Sequence, residues 1–95
     1  MMKNLPTNVE IRGNTPIFST DSLPDALQTW HQTKIAVWGK IVLLRGSALY
    51  EILTEPPLAV HLSPGHDGII EPQQPHRVTP IDEHTQLQVF FYHVA

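Results

Sequence analysis

Residues 34–45 read KIAVWGKIVLLR, in which Ile35, Val37, Ile41 and Leu43 interleave with Ala36, Trp38, Val42 and Leu44. Two apolar sets at period two describe a strand covered on both faces. Gly39 interrupts this strand and predicts a bulge or a close approach of a neighbour. Arg45-Gly46-Ser47 reads as a turn, and residues 48–54 return as the partner of a hairpin. Glu55-Pro56-Pro57 forces a further reversal into a third strand, Leu58–Leu62. The wide turn SPGHDG leads to a short strand at Ile69-Ile70, which stops at Pro72 and Pro75. The last predicted strand is Gln86–Val94, where Leu87, Val89, Phe91 and His93 alternate with Gln88, Phe90, Tyr92 and Val94. A single short helix is predicted, capped by Asp21 or Ser22, with Pro24 in its first turn and a body from Asp25 to Trp30.

Short strands every 8 to 12 residues or so, with nearly no helix, predict an all-β antiparallel sandwich or barrel. With 95 residues and nine prolines spread along them, the chain has room for one domain, 1–95. Within it the polar stretch 1–14 is expected to be a loosely attached arm. An open sheet leaves edges, so a homodimer is expected, with Phe90 or Tyr92 near the contact.

Charge narrows the classes of partner. Six basic residues stand against nine acidic ones, for a net charge of −3. The basic stripe that phosphate backbones require is missing, so no nucleic-acid partner is expected. Without cysteine, disulfides, thiolate zinc sites and thiol nucleophiles are all excluded. The opening MMKNLPTNVE has no apolar signal core, and no apolar run approaches the ~20 residues of a membrane span. A cytoplasmic protein with no membrane partner is expected.

Chemistry near neutral pH falls to six histidines, none in an HxH or HExxH pair. His66 and His84 lie in polar loop text, where an exposed imidazole with no role is the rule. His61 and His93 lie on strands, either able to face inward as structural residues. His76 follows the stiff run Glu71-Pro72-Gln73-Gln74-Pro75, which fixes its direction. Lys34 and Lys40 alternate with apolar neighbours and read most simply as solvated strand cations. Trp30, Trp38, Phe90, Phe91 and Tyr92 read as core or interface.

Several of these residues form an ordered set: His31-Gln32-Thr33-Lys34, Trp38-Gly39-Lys40, Gly46, Tyr50-Glu51 with Leu53-Thr54-Glu55, Glu71-Pro72-Gln73 with His76-Arg77-Val78, and Phe91-Tyr92. Over roughly residues 15 to 93 the set resembles the small cupin-type domain at the N-terminus of TehB-like tellurite-resistance proteins. The resemblance implies a cupin-like double-stranded β-helix, a jelly-roll barrel whose interior holds a metal or a small ligand. In that family the domain precedes an S-adenosylmethionine-dependent methyltransferase. These 95 residues contain no Gly-rich nucleotide loop, so methyl transfer by them alone is not expected.

Laid over the general cupin metal pattern, Gly65 and His76 keep the expected separation, while Glu71 replaces a proline and Gln73 a glycine. In the first motif Gln32 and Lys34 occupy histidine positions and Gly39 the acidic one. A shift of one residue brings in His31. The resemblance thus implies a divalent metal, zinc or nickel, held by His31 and His76 with Glu71 as an oxygen ligand. Its alternative is a metal-free site for a small ligand or oxyanion, in which Lys34, Lys40 and Arg77 supply charge, His31 and His76 donate hydrogen bonds, and Glu71 and Gln73 complete the wall. The function expected is that of a small binding protein. A metal-dependent isomerase or dioxygenase and a dimeric interaction module are the other classes.

Overall fold

A computed structural model describes residues 4–95. In chain order the elements are β1 (Val9–Asn14), β2 (Phe18–Ser19), α1 (Asp25–Gln28), β3 (Val37–Arg45), β4 (Ala48–Ile52), β5 (Leu58–Leu62), β6 (Gly68–Ile70), β7 (His76–Pro80) and β8 (Gln86–Val94). They form two antiparallel sheets, one in the order β1-β8-β3-β6 with β2 also on β8, the other in the order β5-β4-β7. The sheets are separate and do not close into a barrel. Among the described residues no helix is long and apolar enough to cross a membrane.

The strand period decides what each sheet buries. Ile41 and Leu43 of β3, Leu87 and Val89 of β8 and Ile70 of β6 share the inner face of the first sheet. They join Ala48, Tyr50 and Ile52 of β4, Leu62 of β5 and Val78 of β7 in one core cluster. Each large apolar side chain taken out of water here contributes roughly 1.5–3 kcal/mol. The Tyr50 hydroxyl donates to the carbonyl of Ile69 at 2.8 Å, tying the two sheets together with a buried polar bond. Burial, with Glu71 nearby, holds that phenol above its ordinary range. Gly39 is needed for close approach, since a Cβ there would lie 2.8 Å from Cδ1 of Ile70.

The structure corrects several expectations. β3 and β4 do not pair as a hairpin; β3 pairs with β6 and β8, and β4 with β5 and β7. Gly46, at φ 71°, turns a corner from one sheet to the other, and its apolar flanks serve facing sheets instead of one. Strand β3 starts at Val37 because Ala36 is left-handed, φ 63°, and the Val37 amide donates back to Lys34. Its outer face is only partly covered, with Leu44 46% exposed. The helix is a single turn whose N-cap is Pro24, and the Ser22 hydroxyl instead accepts from the Ser19 amide. Of the stretch 1–14, expected as a loosely attached arm, residues 1–3 lie outside the described residues, while residues 9–14 pair along β8 from Val94 to Phe90 as β1.

Candidate functional site

His76 opens β7 immediately after a turn in which Gln73 is left-handed, φ 59°, and the Gln74 amide donates to Glu71. His31 comes from the irregular stretch between α1 and β3. The two residues meet as an isolated antiparallel bridge, each amide donating to the other's carbonyl at 3.0 and 2.8 Å. Their rings lie 4.2 Å apart, centroid to centroid, with His76 also edge-on to Tyr50 at 5.8 Å.

Hydrogen bonding fixes the chemistry of both rings. His76 Nδ1 is 2.8 Å from the Gln74 carbonyl, and His31 Nδ1 is 2.9 Å from the Thr29 carbonyl. A carbonyl only accepts, so Nδ1 carries the proton in each ring, and Nε2 is left as a lone pair in the neutral form. His76 is 1% exposed. Desolvation lowers its pKa to about 4, against the Gln74 carbonyl, which favours the charged ring, and with the proximity of His31, which disfavours it. At neutral pH His76 therefore offers a bare acceptor nitrogen.

Both rings face a chamber of about 450 Å³ between the sheets. Its depths are apolar, formed by buried residues such as Ile41, Ile70, Leu87 and Val89, with Leu23 and Leu27 beside α1. Its mouth carries the exposed Arg12, Gln32, Lys34 and His93. Among the described residues no three His, Asp or Glu side chains are grouped so that they could hold a metal ion. A metal held by His31 and His76 would take its remaining ligands from water or from a bound molecule.

The residues singled out in the sequence separate into groups. His31, His76 and Lys34 line the chamber together. Lys40 does not: it stands on the outer face of β3, paired with Phe90 and Ile69. Arg77 follows the inward His76 and so points outward, where it makes two hydrogen bonds to Glu51 at 2.9 and 3.2 Å and lies 4.4 Å over the Trp30 ring. The placement of Lys40 and Arg77 in the same pocket as Lys34 is thereby corrected; period two sends them to the opposite face. Glu71 lines a separate depression beside Ile52 and Pro56. Gln73 is held by its backbone, its amide donating to Thr33. Of the remaining histidines, His93 reaches the chamber mouth and His61 is exposed.

Arg12 was not among the expected site residues. It occupies a β-bulge, where the register of β1 on β8 shifts between Ile11 and Gly13, so that Arg12 and Gly13 together oppose Phe91. A bulge re-aims a side chain in this way next to functional sites. The signal in the sequence is Gly13, which breaks the alternation of VEIRGN.

The fold and site define a small all-β domain of two antiparallel sheets with a chamber between them that a histidine pair helps to line. The profile of the TehB-like domain family matches residues 13–89, and the chain belongs to that family. Two Haemophilus influenzae proteins, each described as the probable S-adenosyl-L-methionine-dependent methyltransferase TehB, are 33% identical over 81 residues. That match covers 81% of this chain, which spans 28% of the length of those relatives. The crystal structure of TehB from Haemophilus influenzae superposes with a TM-score of 0.84 at 28% identity, over 93% of this chain and 32% of that one. A crystal structure of an E. coli K12 protein superposes with a TM-score of 0.90 over 99% of both chains; at 17% identity it speaks for the fold alone.

Proposed function

We propose that this domain binds a small organic molecule in the chamber between its sheets, with the Nε2 atoms of His31 and His76 as hydrogen-bond acceptors in the chamber wall. The observation carrying this reading is the chamber itself: about 450 Å³, apolar in its depths, with a few convergent polar groups. We read the architecture as a jelly roll of the cupin type in which one strand is reduced to a single residue. The order β1-β8-β3-β6 opposite β5-β4-β7, with the His31 bridge on the free side of β7, supports that reading. Membership of the TehB-like family connects the module with tellurite resistance.

A second reading, a divalent zinc or nickel site at the same pair, is favoured by the Nε2 lone pairs that the two Nδ1 hydrogen bonds leave. An inorganic oxyanion is the weaker occupant, because a neutral imidazole with Nδ1–H turned away offers it no donor. The test is an NMR titration of the labelled protein with small organic probes, and a calorimetric titration with zinc, nickel or tellurite, at about pH 7.5 and 5.5. Organic probes are expected to move the amide signals of Ile70, His76, Leu87 and Val89. Zinc or nickel affinity is expected to persist at about pH 5.5, where His76 is still neutral, and tellurite is expected to bind more weakly than either metal at both pH values. Probe-induced shifts confined to the outer faces would overturn the chamber as the site.

A further inference from the structure

The protein is acidic overall, yet none of its nine described carboxylates lines the chamber, whereas Arg12 and Lys34, two of its six basic residues, do. Sorting of charge against the net charge of the molecule is a property of the site, not of the composition. Arg12 is aimed there by the β1 bulge, and Lys34 by the turn that the left-handed Ala36 closes. Resting on the small-ligand reading above, we infer that the occupant is an amphipathic organic acid, its apolar body between the sheets and its carboxylate at Arg12 and Lys34.

The other groups at the mouth leave those cations available. Lys34 has no carboxylate partner among the described residues. Arg12 is held only by Glu10, through one nitrogen, Nη2, at 3.0 Å, in a pair whose side chains are 57% and 59% exposed. Such a pair contributes little, and a guanidinium retains further N–H donors for a second carboxylate. His93 is opposite Glu10 on β8 and adds a further donor or acceptor at the rim. An inorganic anion alone does not suit the remainder of the space, since surrendering its hydration to a wall of Ile41, Ile70, Leu87 and Val89 is costly. A neutral apolar molecule fills that wall but leaves the two cations unused.

The experiment compares hexanoate, 4-phenylbutyrate and 1-naphthaleneacetate with their primary amides, and with inorganic phosphate, by calorimetry and NMR on the full chain. At least one acid is expected to bind about tenfold or more tightly than its amide, and more tightly than phosphate. The double variant Arg12→Gln, Lys34→Gln, at two exposed positions, is expected to reduce that acid to the level of the amide while leaving the amide unchanged. Equal affinity of acids and amides, an unaffected double variant, or phosphate binding as well as the acids overturns the inference while leaving the small-ligand reading intact. Binding of neither acids nor amides overturns both.

Discussion

His31 and His76 are 45 positions apart, yet each donates its amide hydrogen to the other's carbonyl, and their rings stand 4.2 Å apart above the chamber. The backbone bridge sets the rings side by side, and the Thr29 and Gln74 carbonyls orient them. A single residue of sheet pairing thus does the work of a strand, holding the irregular 29–36 stretch against β7.

The buried member of this pair makes stability depend on pH. The folded-state pKa of His76, about 4, lies below the ~6.5 of an unfolded imidazole, so the unfolded chain takes up the proton first. The contribution of the neutral ring is complete above about pH 6.5 and is lost as pH falls toward 4, amounting to at most roughly 3 kcal/mol. Urea midpoints measured at intervals between pH 7 and 4.5 should fall steadily, and the fall should be shallower in His76→Gln. A wild-type midpoint that is flat across this window contradicts the assignment of a neutral His76.

Long alternating strands were the legible part of this fold. Leu87, Val89 and Phe91 at period two give β8 with its observed bounds, and Ile41 and Leu43 give the inner face of β3. What failed was long-range pairing. The text around Gly46 is the same for a hairpin and for a corner between sheets, and only contacts with the distant Asp82 and Thr85 distinguish them. HRVTP does not read as a strand in the sequence because it is short and one of its two inward residues is the polar His76, and VEIRGN does not because most of its length is exposed. His76 keeps the separation from Gly65 of the cupin pattern and His31 fits that pattern only after a shift of one residue; the backbone bridge is what places the two side by side. Arg12 depended on a bulge, and Lys40 and Arg77 lay close in sequence to inward residues, which in a strand is the wrong face.

Two left-handed glycines separate backbone strain from crowding. At Gly65, φ 87°, an added Cβ meets nothing within 4 Å, so Gly65→Ala is expected to cost about 1 kcal/mol, the conformational penalty alone. At Gly46, φ 71°, the same Cβ would stand 2.7 Å from Asp82 Oδ1 and 2.9 Å from the Thr85 Cα. Gly46→Ala is therefore expected to lose about 2 kcal/mol or more, with the corner between β3 and β4 displaced. Equilibrium unfolding of the two variants decides; equal losses would show that the crowding at Gly46 relaxes without cost.

Because Arg77 faces away from the chamber, Arg77→Ala should leave chamber binding unchanged while releasing Glu51 and the Trp30 ring. The readouts are ligand affinity and Trp fluorescence. A shifted emission with unaltered affinity is expected. Loss of affinity in a folded variant would place this outer cluster in communication with the site.

The outer face of the first sheet leads to the last prediction. Register places Ile11, Tyr92 and Trp38 in one cross-strand row over β1, β8 and β3, with Phe90 beside Lys40 in the next. Ile11 is 56% exposed, and Trp38, Phe90 and Tyr92 are only half-buried. Aromatic side chains concentrated on one face are the composition of an interface core. In a second copy packed on this row, Lys40 can lay its stem along the apolar surface and its ammonium over a partner ring. A homodimer is expected, with a light-scattering mass near twice 10.7 kDa. Tyr92→Lys should give a folded monomer whose chamber, on the opposite face of β8, still binds. A mass of 10.7 kDa at every concentration tested, or a Tyr92→Lys protein that remains dimeric, would rule this interface out.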